Sequence, residues 1–302
     1  MNEQTPDVGA ATERKALAIN LDRSAYGAFA EIGAGQEVVR HFFKAGGASG
    51  TVAKSMSAYD MRVSDAIYGH PKRYVSRERL EQMLQHEYQL LVDRLAAERG
   101  AQTRFFAFAD TVATTPHDGK GQGHSWIGLR FQEAPLSPPS EVLLHLRLWD
   151  KDAGRQQDAL GIVGVNLIHA ALNARTGVDA FLTALVDGVG VGRVEVEFVH
   201  FRGPAFGAFD NRSAALRLVR LGLTDAVLFG PEGLPEVPSE YLYKKNLLVA
   251  RGTFRPVSLV NEDMLACALR NLGDAGAEVL PLFEMCIGSD PHPEAELIDR
   301  IR

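Results

Sequence analysis

Hydrophobic and polar positions in the first third of the chain alternate with clear periods. The apolar run Ala28–Ile32 predicts a strand, and the apolar residues of Gln36–Lys44 share one side at helical spacing before two glycines stop the helix. Ser76–Arg99 has a serine N-cap and an apolar stripe, which predicts a long helix ending at Gly100. These patterns indicate a helix-rich N-terminal α/β portion.

The rest of the chain changes from strands in series to alternating strands and helices. Arg104–Val112, Ser125–Gln132 and Glu141–Trp149 predict the strands of a meander. Further along, the predicted elements are helices at 160–173, 178–187, 213–221 and 261–272 and strands at 193–201, 226–229, 246–251 and 278–285. Such alternation favours crossover connections, so the predicted fold class is α/β, with a mixed, partly parallel sheet flanked by helices.

Domain boundaries are weakly marked in this sequence. The polar N-terminus predicts a disordered tail over residues 1–15. The Pro- and Ser-rich segment at 134–140 separates an N-terminal α/β portion, 16–137, from a C-terminal α/β portion, 138–302. We expect the two portions to pack as one unit.

Composition excludes several classes of protein. Hydrophobic residues make up 46% and charged residues 23% of the 302 residues, as in soluble globular proteins. A net charge of -6 with dispersed basic residues predicts no nucleic-acid partner. The longest apolar run is too short to span a bilayer, which predicts no membrane association. Two cysteines without metal-ligand spacing fit a reducing, cytoplasmic location.

The first glycine turn, Glu31-Ile32-Gly33-Ala34-Gly35, lies between a predicted strand and a predicted helix. Gly33 and Gly35 are candidate nucleotide contacts, because a glycine turn at a helix N-terminus exposes backbone N–H groups to an anion. The run also resembles the first motif of Rossmann-like methyltransferases, in which an acidic residue precedes G-x-G. The third glycine is missing, however, and Glu37 would repel a phosphate, so a turn that serves only the fold is the alternative.

The second glycine turn, Gly46–Thr51, has the composition of a phosphate cradle. Its small residues expose N–H groups, its hydroxyls donate hydrogen bonds, and an ammonium group follows closely. The candidate contacts to a small phosphorylated ligand are Gly47, Ser49, Gly50, Thr51 and Lys54. A flexible connection is the alternative, but between the two turns we expect this one to hold the phosphate.

Three residues are candidates for catalysis. Asp60 and Asp65 lie in a polar cluster and could bind a divalent cation or act as acid and base, although aspartates also cap helices. His124 lies beside Trp126 after a glycine-rich loop, and a solvated histidine is the alternative. The metal requirement stays open, and a nucleotide with Mg²⁺ is a possible cofactor.

Four basic residues of the second half could form an anion-binding rim. Arginine side chains grip phosphate or carboxylate with two parallel hydrogen bonds. The candidates are Arg202, Arg212, Lys244 and Arg255, each in or near a segment that follows a predicted strand. In the alternative interpretation Asp210 or Asn211 caps a helix and these residues are surface charges.

Several stretches resemble one bacterial and cyanobacterial family of unassigned activity. The likeness is carried by Tyr26–Gly69 and by RYVSRERLEQMLQHEY at 73–88, and it continues through GHSWIGLRFQ, DALGIVGVNLI, GPAFGAFDNR and LYKKNLLVARGTFRPV. Relatives carry default names such as nicotinate-nucleotide adenylyltransferase or TonB-dependent receptor. The chain is too short for the second name and lacks the H-x-G-H phosphate turn that the first implies. The resemblance implies no catalytic residues.

These patterns favour a nucleotide- or phosphometabolite-binding enzyme, with nucleotidyl or other group transfer as its chemistry. The first alternative is a non-catalytic cytoplasmic assembly or regulatory protein. The second is a methyltransferase that uses S-adenosylmethionine. In each case a homo-oligomer is expected.

Overall fold

A computed structural model of the chain describes residues 8–116, 121–173, 177–190, 192–272, 279–287 and 294–301. The chain divides into two compact units, Met1–Phe209 and Asp210–Arg302. The soft boundary expected at 137/138 lies inside the first unit, in the connection between two antiparallel strands of one sheet.

The first unit contains six strands and six helices among its described residues. The strands are β1 (Ala25–Gly33), β2 (Val52–Ala58), β3 (Arg104–Ala113), β4 (Gly123–Gln132), β5 (Pro139–Leu148) and β6 (Val194–Arg202). The helices are α1 (Val8–Asn20), α2 (Glu37–Ala45), α3 (Met61–Tyr68), α4 (Arg77–Arg99), α5 (Ala153–Asn173) and α6 (Val178–Leu185).

All six strands form one sheet, in the order β2-β1-β3-β4-β5-β6. β1 pairs in parallel with both β2 and β3, whereas β3 to β6 form an antiparallel meander. The predicted mixed, partly parallel sheet with flanking helices is therefore confirmed. The parallel pairs of this sheet lie in its N-terminal part, and α5 and α6 link antiparallel neighbours rather than forming the expected crossover.

The two faces of the sheet are covered by different helices. On one face Phe42 of α2 packs on Phe29, with ring centroids 5.0 Å apart, and Phe29 contacts Phe108 of β3. On the other face Tyr88 and Leu91 of α4 belong to one buried cluster with Ala28, Phe105 and Ala107. We call these the α2 face and the α4 face. Alternate residues of a strand point to opposite faces, which explains the nearly continuous apolar sequence of β3.

The N-terminal segment differs from its prediction. Helix α1 begins at Val8, and Ala16 and Ile19 are buried. Lys15 ties this helix to α5, because its ammonium group donates to Asn166 Oδ1 at 2.7 Å. The disordered tail expected over 1–15 is thus wrong for residues 8–15, and residues 1–7 lie outside the described part of the chain.

The second unit has small sheets of its own. Its elements are α7 (Asn211–Arg220), β7 (Leu228–Phe229), β8 (Pro235–Glu236), α8 (Pro238–Tyr241), β9 (Asn246–Arg251), α9 (Leu259–Leu272), β10 (Val279–Glu284) and α10 (Glu294–Ile301). β7 and β8 are antiparallel, whereas β9 and β10 are parallel and connected through α9, as the alternating pattern predicts. In neither unit does a helix of the described residues have the length and apolar character needed to cross a bilayer.

Gly164 offers a test of how closely α5 packs against α2. A Cβ atom at this position would lie 2.3 Å from Val38 Cγ2, much closer than atoms can approach. Alanine normally stabilises a helix interior by about 1 kcal/mol relative to glycine, but overpacking costs about 1–3 kcal/mol. We therefore expect Gly164→Ala to lower the free energy of unfolding by about 1–2 kcal/mol in urea denaturation.

Gly154, at the start of the same helix, provides the matched control. A Cβ there would meet only Asp152 Oδ1, at 3.2 Å, and this side chain can move. Gly154→Ala should leave stability nearly unchanged. A Gly164→Ala protein as stable as the wild type would show that α2 and α5 are not packed this closely.

Candidate functional site

The carboxyl ends of β1 and β3 form the topological switch point of the main sheet. The chain leaves β1 towards β2 on one side and then passes over to β3 on the other side. Open α/β sheets bind ligands in the crevice at such a point. Two acidic residues, Glu31 of β1 and Asp110 of β3, are direct register partners near this end.

Glu31 is fixed by the first turn of α2. Its carboxylate accepts hydrogen bonds from the backbone N–H groups of Val38, at 2.9 Å, and Val39, at 3.2 Å. The residue at the N-cap position, Gln36, makes no side-chain capping bond. A carboxylate from the sheet therefore satisfies the N–H groups that an N-cap normally satisfies, with a favourable interaction with the helix dipole.

Asp110 is fully buried and poorly satisfied. Neither of its carboxylate oxygens has a hydrogen-bond partner of good geometry among the described residues. The N–H of Ile32 lies close enough to favour the ionised form slightly. Gly35 covers this carboxylate, because a Cβ at Gly35 would lie 2.4 Å from Asp110 Oδ1. The turn after β1 thus approaches Asp110 in a way that only glycine permits.

Burial makes both carboxyl groups hold protons more tightly. Burial raises the pKa of Glu31 to about 7, against a lowering by the Val38 and Val39 N–H groups and a further rise from Glu37. Burial also raises the pKa of Asp110 well above its usual range, and the negative charge of Glu31 adds to this effect. Because two adjacent buried carboxylates cannot both ionise easily, the charge of one opposes ionisation of the other and keeps the pKa of Asp110 raised.

The structure places the predicted contact Gly35 against Asp110, and Gly33 two residues after Glu31 against the backbone of Val112. Gly33 has φ 80°, and a Cβ there would lie 2.5 Å from the carbonyl oxygen of Val112. The sequence favours the second glycine turn for ligand binding, but the buried acidic pair lies at the first. Since Glu31 already occupies two N–H groups of α2, a ligand phosphate would have to bind the turn elsewhere.

The second glycine turn lies at the opposite edge of the sheet, before the amino end of β2. Gly47 has φ 76° and precedes a short 3₁₀ turn that contains Ser49 and Gly50. Asn20 of α1 donates to the Gly46 carbonyl oxygen at 2.7 Å, and buried Thr51 donates to Ile19. The structure brings Gly47, Ser49, Gly50 and Thr51 together, but away from Asp60 and Asp65, which follow the carboxyl end of β2.

Lys54 points away from the second turn. Its ammonium group lies 2.5 Å from Glu87 Oε2, as an ionic contact rather than a well-aligned hydrogen bond. The other oxygen of Glu87 accepts from the Tyr68 hydroxyl at 2.6 Å. Burial is the largest cause that raises the pKa of Tyr68, and the hydrogen bond to Glu87 is the second. Lys54 thus neutralises a fully buried glutamate of α4.

The two predicted catalytic aspartates have structural partners. Asp60 is the N-cap of α3 and accepts from the N–H groups of Arg62 and Val63. Asp65 accepts from Arg79 at 2.9 Å and from Tyr74 at 3.0 Å, and it contacts His70. The bond to His70 is the largest cause that lowers the pKa of Asp65. Over the described residues, no cluster of three or more acidic, histidine or cysteine side chains could hold a metal ion.

The third predicted catalytic residue, His124, lies near the start of β4. Because β4 is antiparallel to β3, this places His124 at the edge of the sheet where β1 and β3 have their carboxyl ends. Its Nδ1 is 3.4 Å from Nε2 of His145 on β5, which in turn contacts Glu197 of β6. Sequence reasoning did not single out His145, Glu197 or Asp110. The sequence signal that could have identified Asp110 is a single ionisable residue inside an otherwise apolar strand, as in RFFAFADTV.

The predicted basic rim is divided between the two units. In the first unit Arg202 pairs with Glu141 and Glu81, both at 3.1 Å. In the second unit Arg212 pairs with its own helix cap, Asp210, at 2.9 Å. Lys244 lies over the Tyr243 ring, 5.0 Å from its centroid, and Arg255 follows β9 in the same unit. Anion binding by these four residues stays a prediction.

Two surface cavities lie elsewhere on the first unit. One, of about 480 Å³, lies between α3 and α4. The other, of about 510 Å³, is bordered by α1, α2 and α5. Glu31 and Asp110 line neither of these two cavities, and both side chains are buried beneath the glycine turn.

Comparisons with known proteins return structural neighbours only. No protein-family model matches the chain, and no curated protein matches it. The competence/damage inducible protein CihA from Agrobacterium tumefaciens is 16% identical with a TM-score of 0.38, over 56% of this chain and 98% of that chain. A competence-damaged protein (CinA) superfamily protein from Enterobacter cloacae is 12% identical with a TM-score of 0.39, over 56% and 95%. One from Escherichia coli is 15% identical with a TM-score of 0.37, over 56% and 91%. Similarity at this level carries no argument about function.

Proposed function

We propose that this protein is an enzyme that binds a nucleotide or phosphorylated metabolite where β1 and β3 end, and that Glu31 and Asp110 transfer a proton there. The observation that carries the proposal is the Asp110 carboxyl group. It is fully buried, lacks a well-formed hydrogen bond among the described residues, and faces a second buried acid. Such a group destabilises a fold, and strongly perturbed acids of this kind concentrate at functional sites.

The different surroundings of the two acids support distinct roles. Two backbone N–H groups favour the ionised form of Glu31, whereas Asp110 has only the weak contribution of Ile32. In this proposal Asp110 therefore carries the proton, and Glu31 is the carboxylate. In a group-transfer reaction Glu31 would accept a proton from the attacking hydroxyl, and Asp110 would donate one to the leaving oxygen.

The ligand class is supported by the turn that covers the pair. Gly35 brings the backbone close to Asp110, and glycine at a strand-to-helix turn allows a phosphate to approach. Repulsion between phosphate and carboxylate would be reduced by Mg²⁺ that is bound to the phosphate oxygens of the ligand. Nucleotidyl transfer or another group transfer fits this combination.

A thermal-shift panel tests the proposal. ATP, NAD, S-adenosylmethionine and sugar phosphates are added with and without Mg²⁺ to the wild type, Gly35→Ala and Asp110→Asn. A ligand at 100 times its Kd stabilises a protein by about 2.7 kcal/mol. We expect a shift in the wild type that both variants lose, because Gly35→Ala places a methyl group against Asp110.

Asp93→Asn is the matched control, since Asp93 is exposed on α4 and accepts a hydrogen bond from Gln89. It should keep the ligand shift. A panel in which nothing shifts the wild type, or a shift that persists in both Gly35→Ala and Asp110→Asn, would contradict the proposal. A response to S-adenosylmethionine alone would favour the methyltransferase alternative.

A non-catalytic assembly protein is the second candidate function, because the β2 edge of the sheet is open among the described strands. The neighbouring apolar side chains of Tyr59, Met61 and Val63 are 80%, 61% and 51% exposed. Open strand edges and apolar patches are typical of contact surfaces between subunits. Light scattering over a concentration series, with Val63→Lys as the variant, separates this function from a purely monomeric enzyme.

A further inference from the structure

The helix α9 of the second unit packs through one side only. It connects the two parallel strands β9 and β10, yet none of its 14 residues is buried. The half-buried side carries Leu265, Ala268 and Leu269, which lie together at helical spacing. A helix of this length is marginal in water by itself and gains most of its stability from packing an apolar side. The exposed side of α9 is therefore the part that a partner can still cover.

The exposed side of α9 carries a second row of side chains. Val260 and Met264 are 67% and 65% exposed, and Cys267 is exposed as well. Asn271 extends the row and donates to Cys267 Sγ at 3.5 Å. These four residues are spaced by four, three and four positions, which is the spacing of the contact line in a two-helix coiled coil. We call Val260, Met264, Cys267 and Asn271 the α9 row.

Two exposed charges flank the α9 row on one side. The side chains of Asp263 and Arg270 are 80% and 67% exposed, and their closest charged atoms are 3.9 Å apart. The acid lies towards the start of the helix and the base towards its end. An antiparallel second copy would bring the acid of each helix to the base of the other, whereas a parallel copy would bring like charges together. The charge pattern therefore fits a second copy of this helix in antiparallel orientation.

We propose that α9 is an interaction surface for a second copy of this chain, which it contacts along the α9 row in antiparallel orientation. A two-fold axis passes near the middle of the row. Met264 of each copy then packs beside Cys267 of the partner subunit, and Asp263 pairs with Arg270 of the partner subunit. Such a contact uses the same patch on both copies, so it closes as a dimer.

The size of this surface predicts a weak dimer. A helix of 14 residues is about 21 Å long. One helix of this length offers less than the about 800 Å² that each partner buries in a standard interface. We therefore expect a reversible dimer with a Kd in the micromolar range.

This surface is separate from those discussed above. The acidic pair and the open edge of β2 belong to the first unit, whereas α9 belongs to the second. The inference therefore goes beyond the proposed function and does not depend on it.

The two cysteines of the chain provide a direct test. Both are exposed, but only Cys267 lies in the α9 row. The full-length variants Cys286→Ser and Cys267→Ser are treated with a short bismaleimide crosslinker at about 100 µM protein, a concentration that populates a micromolar complex. Cys286→Ser, which keeps Cys267, should yield a covalent dimer on a denaturing gel. Cys267→Ser is the matched control and should stay largely monomeric.

Charge reversal tests the orientation. Asp263→Arg places two like charges opposite each other twice in the dimer, so sedimentation equilibrium should show a Kd raised about tenfold. Asp263→Arg/Arg270→Asp restores opposite charges across the two-fold axis, and its Kd should return to within about threefold of the wild-type value. All these side chains are exposed, so the variants should fold normally, which thermal melts verify.

Val63→Lys, at the edge of β2, is the control for a different contact and should leave both the crosslink and the Kd unchanged. Three results would overturn the proposal. They are a wild type that stays monomeric at about 100 µM, equal crosslinking through Cys286, and a dimer whose Kd Asp263→Arg does not change. A dimer that only Val63→Lys weakens would place the contact at the β2 edge instead.

Discussion

Replacing Asp110 with asparagine should stabilise the protein at neutral and alkaline pH. The asparagine side chain is similar in shape, carries no charge to bury, and can donate a hydrogen bond towards Glu31. At about pH 8 we expect the free energy of unfolding to rise by about 1–3 kcal/mol, which is the usual cost of leaving a buried polar group without a hydrogen bond. Urea denaturation of both proteins at several pH values measures this gain.

The pH dependence of that gain follows from the direction of the pKa shifts. The pKa of Glu31 rises from 4.5 to about 7 in the folded protein, and that of Asp110 also rises. The folded state therefore binds more protons than the unfolded state across this window, so the stability of the wild type falls as pH increases from about 4.5 to about 7. Asp110→Asn should show a weaker fall and little gain at about pH 4.

The exposed control Asp93→Asn should show no gain that depends on pH. An Asp110→Asn protein no more stable than the wild type at alkaline pH would show that the pair is not strained. If Asp110→Asn is more stable and also loses the ligand shift, the acid is retained for function at the expense of stability.

Lys54→Met should destabilise the protein by about 2 kcal/mol. Methionine preserves much of the apolar stem but removes the charge that faces Glu87, whose side chain is 0% exposed. Breaking a fully buried ion pair on one side costs about 3–5 kcal/mol. The estimate here is lower because the Lys54 side chain is 38% exposed and water screens part of the interaction.

A second substitution identifies the origin of this loss. In Lys54→Met/Glu87→Gln the buried charge is gone, and the glutamine can still accept from Tyr68, so at least half of the lost stability should return. Lys72→Met, at an exposed lysine, is the control and should change little. A Lys54→Met protein of wild-type stability that loses phosphate-ligand binding would instead support the role predicted from the sequence.

The sequence predicts the architecture better than the site. The helical spacing of apolar residues and the residues at the helix ends predict the bounds of α2 and α4 almost to the residue. Local hydrogen bonding and one apolar stripe determine where each of these helices begins and ends. The strand β9 is also predicted to the residue. By contrast, α1 is missed because its burial against α2 and α5 is a tertiary effect that the polar residues before Ala16 do not reveal.

The site residues depend on pairings that no local pattern contains. Asp110 becomes unusual only when β3 lies beside β1 and brings it opposite Glu31. Lys54 lies at a spacing from the glycine turn that suits a phosphate contact, but its ammonium group instead pairs with Glu87 of α4. Asp60 is a helix cap, as the alternative interpretation predicts. Residue types thus indicate candidate chemistry, whereas burial and strand order determine which candidates meet.

The position of β1 between β2 and β3 has a consequence for how the first unit folds. β1 needs β3 as its neighbour, and the register partner of Glu31 is synthesised about 80 residues later. The helix α4 that covers both strands also lies between them in the chain. Contacts between distant segments slow folding, because the chain loses the entropy of closing the loop before it gains the energy of the contact. The nascent N-terminal segment therefore stays without its sheet neighbour until β3 has emerged, and the final arrangement of the switch point is a late event in folding.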